Sequence, residues 1–250
     1  MARRVVPLRN EAPLISFTFD DFPRSALREG GAILSSHGIR GTFFASFGLM
    51  GHTGPAGEMF QRDDLDQLLV EQHELACHTY DHCHAWDTSA SEFQASIVRN
   101  RQALHQYLPG ASFRSFSYPS SCPRPAIKRQ ISGQFDCCRG GGHTLNAGFV
   151  DLNFAKACFL ERCDFDCVAE LIEKNNLVRG WLIFATHDVR NMPSRFGCAP
   201  DFFERVVRQA SNSGAGVVTV REAVTRIRGS TGSIAASASR SHCERVGLRV

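Results

Sequence analysis

The chain has 250 residues, 43% of them hydrophobic, enough to bury a full core within one domain. Its net charge of +3 comes from the last thirty residues, which hold six arginines against two glutamates; residues 1–220 are near neutral and lack the basic stripe that nucleic-acid binding needs. Ten cysteines contain no C-x-x-C pair, which excludes a zinc ribbon or thioredoxin-like motif and reads as free thiols in a reducing compartment.

Residues 1–13, MARRVVPLRNEAP, read as an N-terminal extension; a basic start without an apolar segment carries no secretory signal. No run reaches the roughly 18 apolar residues of a membrane helix. The expectation is a cytoplasmic protein with no membrane insertion. LISFTF (14–19) reads as a strand, 24–38 as a helix closed by Gly38, 41–46 as a strand, 62–72 as a helix and 74–79 as a third strand. The clearest helix is 89–108: Ser89 suits the cap, Glu92 completes a capping box, and Pro109-Gly110 stops it. Residues 115–119 read as a strand and 124–132 as a short helix. FDCCR (135–139) reads as a weaker strand running into three glycines, 154–165 as containing a further strand, and 167–175 as a helix. GWLIFATHD (180–188) is the strongest strand; a helix (200–214), a strand (216–220) and a helix (221–228) follow.

Apolar strands alternating with helices indicate a parallel sheet covered on both faces. Seven or eight βα units in a chain of this length predict an α/β, TIM-like (β/α)7–8 barrel, one domain over 14–228. From residue 229 the sequence turns small and polar (GSTGSIAASASRSHC) and reads as a disordered tail.

The reactive side chains gather at one end of this map. Asp20 and Asp21 follow the first strand, HTYDH (78–82) the third, YPSS (118–121) the fourth, and His187-Asp188 the penultimate one. The carboxyl ends of the strands are the face on which a barrel builds its site. The adjacent Asp20 and Asp21 also suit a plain turn. His78 and His82, four residues apart, face the same way if the chain makes one helical turn there, and with one carboxylate they leave open positions on a Zn²⁺-like ion. His187 is placed for general acid catalysis, although a buried strand can equally hold a histidine bonded to backbone.

TFDD (18–21), HTYDH (78–82), FSYPSS (116–121) and the strand into THD (186–188) resemble the ordered motifs of the polysaccharide deacetylases, carbohydrate esterase family 4. The resemblance runs from residue 14 to about 190. It implies a distorted (β/α) barrel and a metal-dependent hydrolase that removes acetyl groups from an N-acetylated sugar in an oligo- or polysaccharide or a glycan precursor. By that resemblance Asp21, His78 and His82 hold a divalent metal, Zn²⁺ first, with Co²⁺, Ni²⁺ or Mn²⁺ as alternatives. Asp20 is then the base, His187 the acid, and Thr79 steadies the loop.

Two motifs depart from the family pattern. The family's usual arginine position in the third motif is Ser117, and Tyr118, Pro119 and Ser120 fall at the oxyanion and substrate positions, with Ser120 offering its backbone N–H. Arg162 is the first replacement for the missing arginine and Arg114 the second. No fourth motif with its tryptophan is visible; Asp164, with Asp166 as rival, is the candidate to orient His187. Competing readings are a hydrolase of another C–N bond or of an O-acetyl ester, and a catalytically silent barrel that binds a glycan or a partner.

Overall fold

The structure, a computed structural model, describes residues 2–230. In chain order it contains β1 (Val5–Pro7), β2 (Leu14–Phe19), a π-helical turn (Ala26–Gly31) leading into α1 (Ala32–Ser36), and β3 (Thr42–Ala45). A small hairpin, β4 (Thr53–Gly54) and β5 (Gly57–Glu58), precedes α2 (Arg62–Val70), β6 (Glu74–Cys77), α3 (Ala90–Tyr107), β7 (Ser115–Ser117) and α4 (Pro125–Gln130). The second half holds β8 (Cys137–Arg139), β9 (Phe149–Asp151), β10 (Cys158–Phe159), α5 (Phe165–Val178), β11 (Trp181–Thr186), α6 (Pro200–Asn212), β12 (Gly216–Val217) and a last helix, α7, over 220–230. The expected tail beyond residue 230 lies outside the described residues.

The main sheet is parallel, in the order β10-β11-β2-β3-β6-β7-β8, and curls into a distorted barrel within one domain. β12 pairs with the first half of β2 (Leu14, Ile15), while β3 pairs with its second half (Thr18, Phe19), so β12 enters only at the amino-terminal end. Alternation along the strands sorts the two faces. Ile15, Phe17 and Phe19 pack with Leu34, Phe203 and Val206 from the covering helices, and Leu182 and Phe184 of β11 join them. Leu14, Phe44, Ala76, Cys137, Trp181, Ile183 and Ala185 form a second cluster, which among α1–α7 draws only on α7. Continuing the inward period of two places Asp20 after Leu14, Ser16 and Thr18, and puts Ser117, Arg139 and His187 on the same face as Ser115, Cys137 and Ala185.

Several local expectations change. The helix expected over 24–38 begins as a wide π-turn, and Gly30 explains the close packing: a Cβ there would lie 2.9 Å from the Phe19 ring. The strand expected within 154–165 is only two residues long and gives way to a 3-10 turn, Leu160–Arg162. Within the expected N-terminal extension, residues 2–13 are tied to the body. β1 pairs antiparallel with β9, and the Arg4 guanidinium donates to the carbonyls of Phe135 and Asp136 at 2.8 and 2.6 Å. The α3 capping box forms as expected, Ser89 Oγ accepting from Glu92 N at 3.2 Å and the Glu92 carboxylate from Ser89 N at 3.0 Å. Among the described residues no helix is long and apolar enough to cross a membrane.

Candidate active site

A pocket of about 890 Å³ opens at the carboxyl end of the sheet, and Asp20, Asp21, His78, His82 and His187 all line it. Asp20 is 3% exposed, and its backbone N–H is fixed to the Thr186 carbonyl at 2.9 Å. One guanidinium nitrogen of Arg139, at the end of β8, donates to both Asp20 carboxylate oxygens and to Ser117 Oγ. Ser117 Oγ in turn donates to Asp20 Oδ1 at 3.4 Å. The guanidinium lies between the rings of Phe44 and Phe159, whose centroids are 5.3 and 5.4 Å away. Burial raises the pKa of Asp20, but Arg139, His78 and His187 together more than reverse this, and the carboxyl falls from 3.8 to about 2.

The arginine that holds Asp20 is therefore Arg139. Neither expected replacement does so: Arg162 donates to His143 Nε2 at 2.8 Å on the pocket wall, and Arg114 pairs with Asp136 at 2.8 Å. The sequence does signal Arg139, since it ends a strand at the same level as the other reactive groups. Ser117, where the family arginine is expected, leaves a place that the long Arg139 side chain reaches from the neighbouring strand.

Asp21, His78 and His82 bring one donor atom each to within 4.8 Å of one another. The chain does not make a helical turn between the histidines. It bends through left-handed residues, Thr79 (φ 63°) and His82 (φ 52°), and Thr79 Oγ1 accepts from Cys83 N at 3.0 Å to hold the bend. Asp21, also left-handed (φ 63°), turns its carboxylate away from the strand's alternation and toward the imidazoles. His78 Nδ1 lies 2.9 Å from the Ser117 carbonyl, which can only accept, so the proton sits on Nδ1. Burial lowers the His78 pKa to about 4, so at neutral pH its Nε2 is a bare lone pair facing Asp21 Oδ1 at 3.5 Å. His82 Nε2 approaches the same oxygen at 3.3 Å, and that buried oxygen has no hydrogen-bond donor. Two ring nitrogens crowding an orphaned carboxylate oxygen, one of them a bare lone pair, are reconciled by a cation, and two imidazoles with one carboxylate fit a divalent metal.

His187 takes its orientation from backbone. Its N–H and Nδ1 both reach the Phe196 carbonyl, at 3.1 and 3.2 Å, which turns Nε2 toward the pocket. The buried Asp188 builds the loop that carries Phe196, accepting from Arg190 Nε at 2.9 Å, Ser194 N at 2.7 Å and Ser194 Oγ at 2.5 Å. Asp164 is instead the cap of α5, accepting from Cys167 N at 2.9 Å, and its rival Asp166 lies in the first turn of that helix. Besides Asp20, a carboxylate close enough to feel His187 is Glu161, which lines the pocket; its Oε2 is buried without a donor, and burial raises its pKa. It escaped the sequence reading because it sits on the 3-10 turn where a strand was expected.

Tyr118 is also placed differently from expectation. It is fully buried against Phe116, with its hydroxyl donating to the Asn153 carbonyl at 3.0 Å, and it does not line the pocket. Pro119 is buried behind the wall, while Ser120, left-handed at φ 56°, lines it. Phe154, Phe159 and Phe196 supply an aromatic wall, with Arg162 and Arg195 beside it.

Known structures share this architecture. The chain is similar to the Xyl-CE4 domain of a multidomain xylanase from the hindgut metagenome of Trinervitermes trinervoides (TM-score 0.60, 19% identity, covering 88% of this chain and 92% of that one). A family 4 acetyl xylan esterase from Clostridium thermocellum, in complex with a cobalt ion, gives TM-score 0.59 and 18% identity, covering 85% and 90%. The chitin deacetylase of the fungal pathogen Colletotrichum lindemuthianum gives 0.58 and 16%, covering 86% and 89%. No curated protein matches the chain. The family model described as polysaccharide deacetylase matches residues 8–134, half of the sequence and the half that carries Asp20, Asp21, His78 and His82. The chain belongs to the polysaccharide deacetylase family.

Proposed function

We propose that the protein is a metal-dependent deacetylase that removes the acetyl group from an N-acetylated sugar of an oligosaccharide, polysaccharide or glycan precursor. The observation that carries this reading is the side-by-side pair. Asp20 is held ionised by Arg139, and Asp21 is turned with the imidazoles of His78 and His82 onto one point. Asp21, His78 and His82 would hold the ion, with Zn²⁺ as the first candidate. When bound, it supplies Lewis acidity, lowering the pKa of water to about 7 and polarising the acyl oxygen.

Asp20 takes a proton from the attacking water. Arg139 and Ser117 occupy its other lone pairs and fix its orientation. His187, with Nδ1 committed to the Phe196 carbonyl, gives a proton from Nε2 to the leaving nitrogen. Ser120 offers its backbone N–H at the pocket wall to the oxygen on which charge develops. Phe154, Phe159 and Phe196 provide faces for sugar rings.

A second reading, cleavage of an O-acetyl ester, is favoured by the likeness to an acetyl xylan esterase. Acetate release from matched N-acetyl and O-acetyl oligosaccharides, by wild type and Asp20→Asn, separates the two. N-acetyl turnover that requires Asp20 supports the proposal. Turnover of O-acetyl substrates alone moves the assignment to the ester, and full metal occupancy with no acetate released from either class overturns both.

A further inference from the structure

The segment that carries Glu161 and Arg162 into the pocket wall also gathers three thiols that the catalytic chemistry does not use. Cys158 ends up on β10, Cys163 follows the 3-10 turn, and Cys167 lies in the first turn of α5. The Asp164 cap, which grips Cys167 N at 2.9 Å, folds the start of the helix back over Cys163. As a result Cys163 Sγ lies 3.1 Å from Cys167 Sγ and 3.5 Å from Cys158 Sγ. Among the described residues no other cysteine pair is joined by a sulfur–sulfur hydrogen bond.

We infer that Cys158, Cys163 and Cys167 form an oxidisable thiol cluster with Cys163 as the shared partner, and that a hydroperoxide closes it to a Cys163–Cys167 disulfide beneath the pocket wall. Two observations choose this pair. It is the shorter contact, and both members are partly exposed whereas Cys158 is buried. A disulfide bond is about 2.05 Å long, so the two sulfurs need to approach by only about 1 Å.

The chemistry balances with the peroxide as two-electron oxidant. The thiolate of one partly exposed cysteine attacks the O–O bond, giving a sulfenic acid and hydroxide. The neighbouring thiol then displaces the sulfenic oxygen as water, and the S–S bond forms. The two thiols are oxidised and the peroxide is reduced. Cys163 directly follows Glu161-Arg162, so the bond pins the turn that presents both side chains to the pocket. Cys158 serves as the alternative partner when Cys167 is missing.

Trypsin makes the arrangement readable, because cleavage after Lys156, Arg162 and Lys174 puts Cys158 in one peptide (157–162) and both Cys163 and Cys167 in another (163–174). The full-length protein is treated with hydrogen peroxide, alkylated under denaturing conditions, digested without reductant and analysed by mass spectrometry. The expected product is peptide 163–174, unalkylated and two hydrogens lighter, and restored by dithiothreitol. In Cys167→Ser the bond moves to Cys158 and joins the two peptides; in Cys163→Ser neither product forms. The wild-type measurement needs no variant to fold. The inference is overturned if peptide 163–174 carries two alkylated thiols, or only oxygen adducts, at a peroxide dose that oxidises the exposed Cys122. A bond from Cys163 to a cysteine outside the trio overturns it as well.

Discussion

Replacing Arg139 by methionine keeps an apolar stem between Phe44 and Phe159 and removes the only guanidinium on Asp20 among the described residues. In the native protein the Asp20 carboxyl falls from 3.8 to about 2 even though burial pushes the other way. At about 1.4 kcal/mol per pKa unit, that net drop favours the charged form by roughly 2–3 kcal/mol. Losing the arginine also uncovers the opposing burial effect, so the variant should lose about 3–5 kcal/mol at pH 7, the range for breaking a buried pair. The pH dependence has a definite sign. A depressed carboxyl stabilises the fold fully above its unfolded value and loses that contribution as pH falls toward about 2. Without Arg139, burial raises Asp20 above the ordinary value, and protonation relieves the variant as the medium becomes acidic. The deficit is therefore largest at pH 7 and shrinks toward pH 4. Urea unfolding of the metal-free proteins at both pH values measures it, and the acid limb of acetate release should move upward in the variant. An equal deficit at the two pH values, or one below about 1 kcal/mol at pH 7, would refute the role given to this pair.

Other outcomes follow from the same geometry. Asp21→Asn and His82→Ala should lose the roughly one divalent ion per chain expected of the wild type, while Asp20→Asn keeps it and releases no acetate; elemental analysis separates them. His187→Ala should slow amide cleavage by about 10²–10⁴-fold and recover much of that loss on an aryl acetate, whose leaving group needs no proton. Tyr118→Phe deprives the buried Asn153 carbonyl of its donor and should cost about 0.5–1.5 kcal/mol in denaturation while kcat stays unchanged. Glu161 has its pKa raised by burial, so its ionisation opposes folding as pH rises; Glu161→Gln should melt at a higher temperature than wild type at pH 8, and by a smaller margin at pH 5.

The strands were legible because strands buried on both faces read as continuous apolar runs, as β2 and β11 do. The carboxyl-end rule was enough to place Asp20, Asp21, His78, His82 and His187 in one neighbourhood. What escaped lies where side-chain reach or backbone shape decides. Arg139 ends a three-residue strand beside glycines, and nothing local says that its guanidinium crosses to β2. The partner of His187 is the Phe196 carbonyl, and a carbonyl has no signature in the sequence. Tyr118 and Ser120 are two residues apart in a polar run, yet one is buried and the other lines the pocket, because left-handed Ser120 and Ser121 turn the chain outward. The thiol trio depends on the Asp164 cap, which composition alone could not distinguish from a catalytic carboxylate.

Asp20 and Arg139 are 119 residues apart in the chain. The segment matched by the family model, 8–134, ends before Arg139 and well before His187. A fragment cut at that boundary would keep Asp20, Asp21, His78 and His82, yet Asp20 would lack the Arg139 guanidinium and His187 would be missing. The family model thus covers the half that carries Asp20, Asp21, His78 and His82. The other half, through β8 and the loop after β11, supplies the guanidinium on Asp20 and the carbonyl that orients His187. Substitution of Arg139 or of the loop that carries Phe196 would thus alter the surroundings of Asp20 and His187 while the motifs at 18–21 and 78–82 stay untouched.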